Sequence, residues 1–393
     1  MWLVLAAISS GLFFSACSSV QDSPPISIGI PQTPIRPPVV YPVQPPVPLP
    51  PVRPSPPVVV QPPRPPQPVI PPVVVKPPVT PPPVRTVSNR VQLPNLPVPT
   101  LKHRVLGNDW VSFEAWGMSR GKAEFSRFKE GQTVVHRLSI AGQTVELMAN
   151  DRRGEWQGAQ FWLGFSTKFF QEHLYVHQID IQKLMEPLMG RLPQLGRVVV
   201  IDPGHGKDNH GTKSVHDQKL EKELTLDWAL RLKPLLEARG WKVHLTRTKD
   251  SEVSLEDRVA FADKNKAALF ISLHFNHASP EVQGLETYCI APVGVPAHLT
   301  RGPADQPKVA LVNNQYDTRN VQLAAVIHKS MIEQCEMADR GVRRVRFMTV
   351  LKTQKRPAIL IEGGYLSNPE ESRRIATPEY RQKLAVAVAS ALQ

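Results

Sequence analysis

Only three cysteines occur in 393 residues, too few to staple a fold together. The folded parts must therefore rest on buried apolar surface and hydrogen bonds. Acidic residues are missing altogether between Pro24 and Pro99, where 30 of the 42 prolines and six Lys or Arg are found. That composition excludes a packed core and predicts extended, polyproline-like chain. Its 76 residues could reach roughly 240 Å at about 3.1 Å each. A flexible tether is the plain reading, and a ligand for an SH3-type domain is the sharper alternative. No Lys or Arg stands in the opening "MWLVLAAISSGLFFSACSSV". Its apolar run is too short to span a bilayer comfortably.

That opening ends in small residues and a cysteine, the pattern of an export signal. The tetrapeptide "FSAC" resembles a bacterial lipobox with Cys17 as the lipidated residue, although Phe14 stands where Leu is usual. Ser18 in place of Asp favours the outer membrane. An acyl anchor followed by a long spacer suits an enzyme that must reach across a cell envelope. An ordinary signal peptide cut nearby is the alternative. Cys289 and Cys335 remain, and they are expected as free, buried thiols rather than a disulfide. The net charge of +13 divides into about +6 in the tether, +2 in residues 100–195 and +6 in residues 196–393, with Asp22 outside these segments. A diffuse basic surface on an exported chain argues against nucleic acid and for an anionic polymer such as cell wall.

Four segments follow: a signal segment 1–17, a Pro-rich linker 18–99, a small α+β domain 100–195 and a larger domain 196–393. In the small domain "TVVHRLSIAGQTVELMA" and "AQFWLGFS" are strand material. Two similar phrases, "NDWVSFEAWGMSRG" and "EHLYVHQIDIQKLMEPL", each run from a short strand into a helix. This arrangement resembles the stalk-like domain at the N-terminus of copper amine oxidases. It implies a spacer or a wall-binding module.

From Gly196 strands and helices alternate, which predicts an α/β fold with a mostly parallel twisted sheet and helices on both faces. The run "RVVVIDPGHG" is a buried strand stopped by Pro and Gly, and "AALFISLHFN" and "PAILIEGGYLSN" read as two more. The helix in "LEKELTLDWALRLKPLLEARG" puts Leu224, Trp228, Leu232 and Leu235 on one face, with Pro234 expected to kink or divide it. Ser254 and Asp257 cap the next helix. A long helix covers roughly 318–336, and the last begins at Thr377-Pro378.

His205, His274 and Glu362 stand where apolar strands give out, so one sheet edge collects two imidazoles and a carboxylate. Glu221 lies on the inward face of its helix, where a carboxylate is costly unless paired or metal-bound. Two His and one Glu with an open position for water form a known catalytic zinc set. Glu362 could then handle the proton. Each residue alone has a plain reading: a turn histidine, a satisfied core histidine, a cap beside Lys222, a carboxylate on turn amides. Together at one edge they argue for a site. His210 and His216 lie in the same loop and could substitute as ligands.

The phrases "IDPGHG", "LEKELTLD", "SLHFN" and "IEGGYLSN" occur in the order and at the spacing of the zinc-dependent N-acetylmuramoyl-L-alanine amidases of the type 3 class, which residues 197–393 resemble closely. The resemblance implies zinc on His205, Glu221 and His274, with Glu362 as the catalytic carboxylate. It also implies peptidoglycan as substrate, cut between the lactyl group of muramic acid and L-alanine. A zinc peptidase acting within the stem, or a non-catalytic wall-tethering lipoprotein, are the alternatives. All four residues lie within 196–393, so that half is expected to act alone. The chain departs from the family pattern in "GHGKDNHG", where Lys207 replaces a glycine and Asn209-His210 replace Asp-Pro. Some relatives carry a helix between the second ligand strand and the long helix that blocks the metal. Residues 281–317 are here too rich in Pro and Gly for one, so no activator protein is expected. The arginines of "DRGVRRVRFMTVL", Arg340, Arg343, Arg344 and Arg346, read either as a solvated basic face or as holders of stem-peptide carboxylates.

Overall fold

The computed structural model describes residues 90–192, 194–301 and 304–392. The signal segment with Cys17 and nearly all of the Pro-rich stretch lie outside them. Among the described residues no helix is long and apolar enough to cross a membrane.

The small domain begins earlier than proline density suggests. β1 (Val91–Leu93) pairs antiparallel with β3 (Ala123–Glu130), and Arg90 is held by Glu130 and Glu146. Three proline-free residues suffice for the pairing, and they fall within the stretch read as tether. β2 (Trp110–Ser112) leads into α1 (Phe113–Ser119), capped by Ser112 Oγ. A meander follows through β4 (Thr133–Ile140), β5 (Gln143–Met148), β6 (Arg153–Trp156) and β7 (Ala159–Trp162). β8 (Lys168–Phe170) and β9 (His173–His177) come next, then α2 (Gln178–Asp180), a π turn (Ile181–Met185) and α3 (Glu186–Met189). The two similar strand-to-helix phrases meet: β2 pairs antiparallel with β9, Trp110 opposite His177.

The larger domain follows the expected alternation. Its elements are β10 (Val198–Pro203), α4 (Glu221–Glu237), β11 (Lys242–Leu245), α5 (Leu255–Lys264), β12 (Leu269–Asn276) and β13 (Leu285–Ile290). Then come α6 (Asp317–Cys335), β14 (Asp339–Val345), α7 (Thr349–Lys352), β15 (Ala358–Tyr365), α8 (Pro369–Ala376) and α9 (Pro378–Ala391). The strand order is β14-β13-β15-β12-β10-β11, parallel throughout except where β13 runs against β15. Val199, Val200, Ile201, Phe270 and Ile271 are fully buried, which explains the continuous apolar runs: both faces of these strands are covered. α4, α6 and α9 close one face, and α5 and α7 close the other.

Some details differ from the sequence reading. α4 is not divided at Pro234, which sits exposed near the end of the helix. There the missing N–H leaves a carbonyl that water can satisfy. Leu236, four residues after Leu232, completes the buried stripe in place of the half-buried Leu235. β15 runs three residues past Glu362, because Gly363 and Gly364 leave room under Trp228 and Met337 for the strand to continue. The two domains also share one sheet: β7 pairs parallel with β14, and one apolar cluster runs from Val111 to Leu392 across both.

Candidate functional site

β10 ends in a turn whose carbonyls are gripped from beneath. Asp202, 1% exposed, pairs with Arg258 and accepts hydrogen bonds from Thr246 Oγ1 (2.6 Å) and Ser272 Oγ (2.7 Å). Arg258 also donates to Pro203 O (2.9 Å) and His205 O (2.8 Å). Arg247 donates to Pro203 O (3.0 Å) and Gly204 O (2.8 Å). This knot holds His205 at φ +65°, a left-handed conformation that a histidine adopts at a cost.

His205 Nε2 lies 3.0 Å and His274 Nδ1 2.9 Å from the same oxygen, Glu221 Oε1. One ligand atom from each residue falls within 4.8 Å of the others. Glu221, at the first turn of α4, is buried and also accepts from Phe275 N (3.1 Å) and Thr212 N (2.9 Å). Burial pushes its carboxyl up, but the hydrogen bonds from the two imidazoles outweigh that and hold it well below the usual range. Asn209 Oδ1 lies 2.7 Å from His205 Nδ1. An Nδ1–H donated to Asn209 would leave the Nε2 lone pair for a metal ion once one takes the place of the contact with Glu221. Glycine is required on two sides. A Cβ on Gly204 would stand 2.5 Å from His274 Nε2, and one on Gly211, at φ +69°, 2.5 Å from Glu221 Oε2. Two imidazole nitrogens and a carboxylate oxygen converging in a glycine-lined cradle fit a zinc ion with a position left open.

Glu362 is the in-register neighbour of His274 on one side and of Glu286 on the other. It is half-buried, but its Oε2 is shut off from solvent and has no hydrogen-bond partner among the described residues. Burial pushes its carboxyl well above the ordinary range, and the charges of Glu221 and Glu286 add to the shift. All four residues picked from the sequence therefore collect at one edge. His210 and His216 are exposed and stay outside the cluster.

The arginine run has a different place from either reading. Arg343 and Arg344 are only 6% and 2% exposed, so β14 presents no solvated basic face. Arg340 Nε (2.7 Å) and Arg343 Nη2 (3.1 Å) hold Glu286, Arg344 pairs with Asp180 (2.7 Å) and Arg346 with Asp305 (3.0 Å). Each of the four is thus paired with a carboxylate of this chain. Glu286 itself was missed. It also accepts from Asn276 Nδ2 (3.0 Å) and the Tyr288 hydroxyl. Asp202, Arg247 and Arg258 were missed as well, because their partners lie some twenty to seventy residues away. The aspartate after the apolar run was the only local signal. Cys289 and Cys335 are free and buried, and burial pushes both thiols up to about 12.

Residues 199–393 match the family model described as N-acetylmuramoyl-L-alanine amidase. The N-acetylmuramoyl-L-alanine amidase AmiA of Escherichia coli K12 is 28% identical over 215 residues, 49% of this chain and 74% of that protein. The sporulation-specific N-acetylmuramoyl-L-alanine amidase of Bacillus subtilis 168 is 32% identical over 197 residues, 50% of this chain and 66% of the other. Among solved structures, N-acetylmuramoyl-L-alanine amidase AmiC2 of Nostoc punctiforme shares 30% identity over 51% of this chain and 97% of its own, at a TM-score of 0.42. Through its C-terminal half this chain belongs to the N-acetylmuramoyl-L-alanine amidase family and is a hydrolase of that class.

Proposed function

We propose that the chain is a peptidoglycan amidase, hydrolysing the bond between N-acetylmuramic acid and the L-alanine of the stem peptide, with zinc held by His205, Glu221 and His274. When bound, the ion would polarise the amide carbonyl and make an attacking water more acidic. Glu362 takes a proton from that water as the new C–O bond forms. It returns the proton to the amide nitrogen as the C–N bond breaks. The products are a muramic acid carboxylate and a stem peptide with a free amino end. The carrying observation is the convergence of His205, Glu221 and His274 beside a Glu362 oxygen that no other group claims. Asn209 orients one imidazole, and the Phe275 and Thr212 amides orient the carboxylate between the two.

Analysis of digested peptidoglycan tests this reading. Released, intact stem peptides support it. Shortened stems would mean a peptidase acting within the stem, and no products would mean a wall-binding lipoprotein.

The same reading places the enzyme in the bacterial envelope, anchored through Cys17 and working at the end of its tether. "FSAC" and the proline-rich chain behind it support that. Cys17→Ser should free the protein from membranes and spare catalysis. Unchanged fractionation would leave a signal peptide or an uncleaved anchor.

A further inference from the structure

We infer that the small domain is a working part of the catalytic site rather than a spacer, and that Trp162 is its positioning residue. The inference rests on the amidase reading for its meaning and on separate contacts for its support.

Trp162 closes β7, the strand that joins the two halves of the sheet. Its Nε1 donates to Arg340 O (2.9 Å). Its ring stacks on His298 with centroids 4.0 Å apart, and the Arg343 guanidinium lies over it at 5.2 Å. Arg343 in turn donates from Nη1 to His298 Nδ1 (3.1 Å) and from Nη2 to Glu286 (3.1 Å). One tryptophan from the small domain therefore touches both arginines that hold Glu286, the in-register neighbour of Glu362.

Two further contacts fix Trp162 in place. Arg344 donates to its carbonyl (3.1 Å) while pairing with Asp180, a fully buried carboxylate that also accepts from Gly164 N (2.8 Å) and Phe165 N (2.9 Å). Gln160 N donates to Asp339 Oδ2 (2.8 Å).

The consequence concerns geometry at Glu362. Glu286 is 1% exposed and spends its oxygens on Arg340, Arg343, Asn276 and Tyr288. A buried carboxylate held this way stays out of the space beside Glu362 Oε2. Released from its arginines, it would be a buried charge short of donors next to Glu362, its in-register neighbour, and would disturb the setting of that carboxyl. A cut at residue 196 would strip Arg344 of Asp180 and both Glu286-holding arginines of Trp162.

The test uses the full chain and a soluble muramoyl peptide. Trp162→Ala should lose at least about tenfold in kcat, with KM within about twofold and one zinc retained. Trp162→Phe keeps the stack on His298 and should recover to within about threefold of wild type. Val105→Ala, exposed in the same domain, should be indistinguishable from wild type. Wild-type kcat in Trp162→Ala overturns the inference, as does a loss matched by equal loss of zinc. If Trp162→Ala does not fold, Arg343→Lys carries the test. Lysine keeps the charge but cannot reach both His298 and Glu286, so a similar loss is expected and full activity overturns it. If the wild type releases no stem peptides, the amidase reading fails by itself. The inference is then read from amide exchange at residues 285–288, which should quicken in Trp162→Ala; unchanged exchange would overturn it.

Discussion

Glu362 and His274 face each other across adjacent parallel strands, Cα partners in the register of β12 and β15. Only one of the two is directed at Glu221, and that separates their roles. Glu362→Gln should keep its zinc and lose about 10²–10⁴-fold in turnover, the usual size of a proton-transfer contribution. His274→Ala should lose the metal as well. Metal analysis alongside product release reads both, and equal loss of zinc in the Gln variant would make Glu362 a ligand.

Asp202 should matter for stability more than its position after a strand suggests. It is the buried partner of Arg258, with Arg247 close by on the same carbonyls. Asp202→Ala leaves a guanidinium buried without its counter-charge, which costs about 3–5 kcal/mol. Urea unfolding should show a loss of that order, and zinc should dissociate faster because the carbonyls behind His205 lose their grip. A loss below about 1 kcal/mol would remove the knot from the account.

Acid should weaken the small domain through His136. Its ring is fully buried, with no hydrogen-bond partner on either nitrogen among the described residues, facing Arg127, His173 and Glu114. Burial first, then the Arg127 charge, lowers its pKa from 6.5 to about 3. Below 6.5 the unfolded chain therefore takes up a proton that the fold refuses. Stability is complete above that pH and falls as pH drops toward 3. Between pH 7 and 5 the loss from this group is about 1–2 kcal/mol, with the raised pKa of Glu114 working partly against it. His136→Gln should flatten the dependence of the urea midpoint on pH. An equal slope in variant and wild type would assign the effect elsewhere.

What could be read from the sequence divides along a physical line. The alternation of buried strands with helices, and four residues at strand ends or on an inward helix face, are local signals that periodicity carries. Glu221, three residues before Leu224 and seven before Trp228, was legible for that reason. Pairings between distant segments have no such trace. Arg344 with Asp180, Arg340 with Glu286 and β7 with β14 join residues far apart in the chain. A run of arginines consequently looked like surface. The shared sheet was hidden for the same cause, since "AQFWLGFS" shows that a strand exists and not which edge it joins.

The last prediction concerns regulation. Blocking the site from within requires a carboxylate from residues 281–317 on the metal. That segment holds four, and each is engaged elsewhere. Glu281 accepts from Ser279 Oγ, Glu286 from Arg340, Asp305 pairs with Arg346, and Asp317 accepts from Asn314 and Lys183. The same segment forms β13 and a short 3-10 turn at Val312–Tyr316, with no α-helix between them among the described residues. Its prolines would cost about 3 kcal/mol each inside a helix, so refolding into an occluding one is strongly disfavoured. Purified enzyme should therefore release stem peptides from isolated peptidoglycan without any added protein, at a rate that an envelope extract does not raise more than about twofold. An enzyme silent until such an extract is added would show that access is controlled by a partner, and the open-site account would fall.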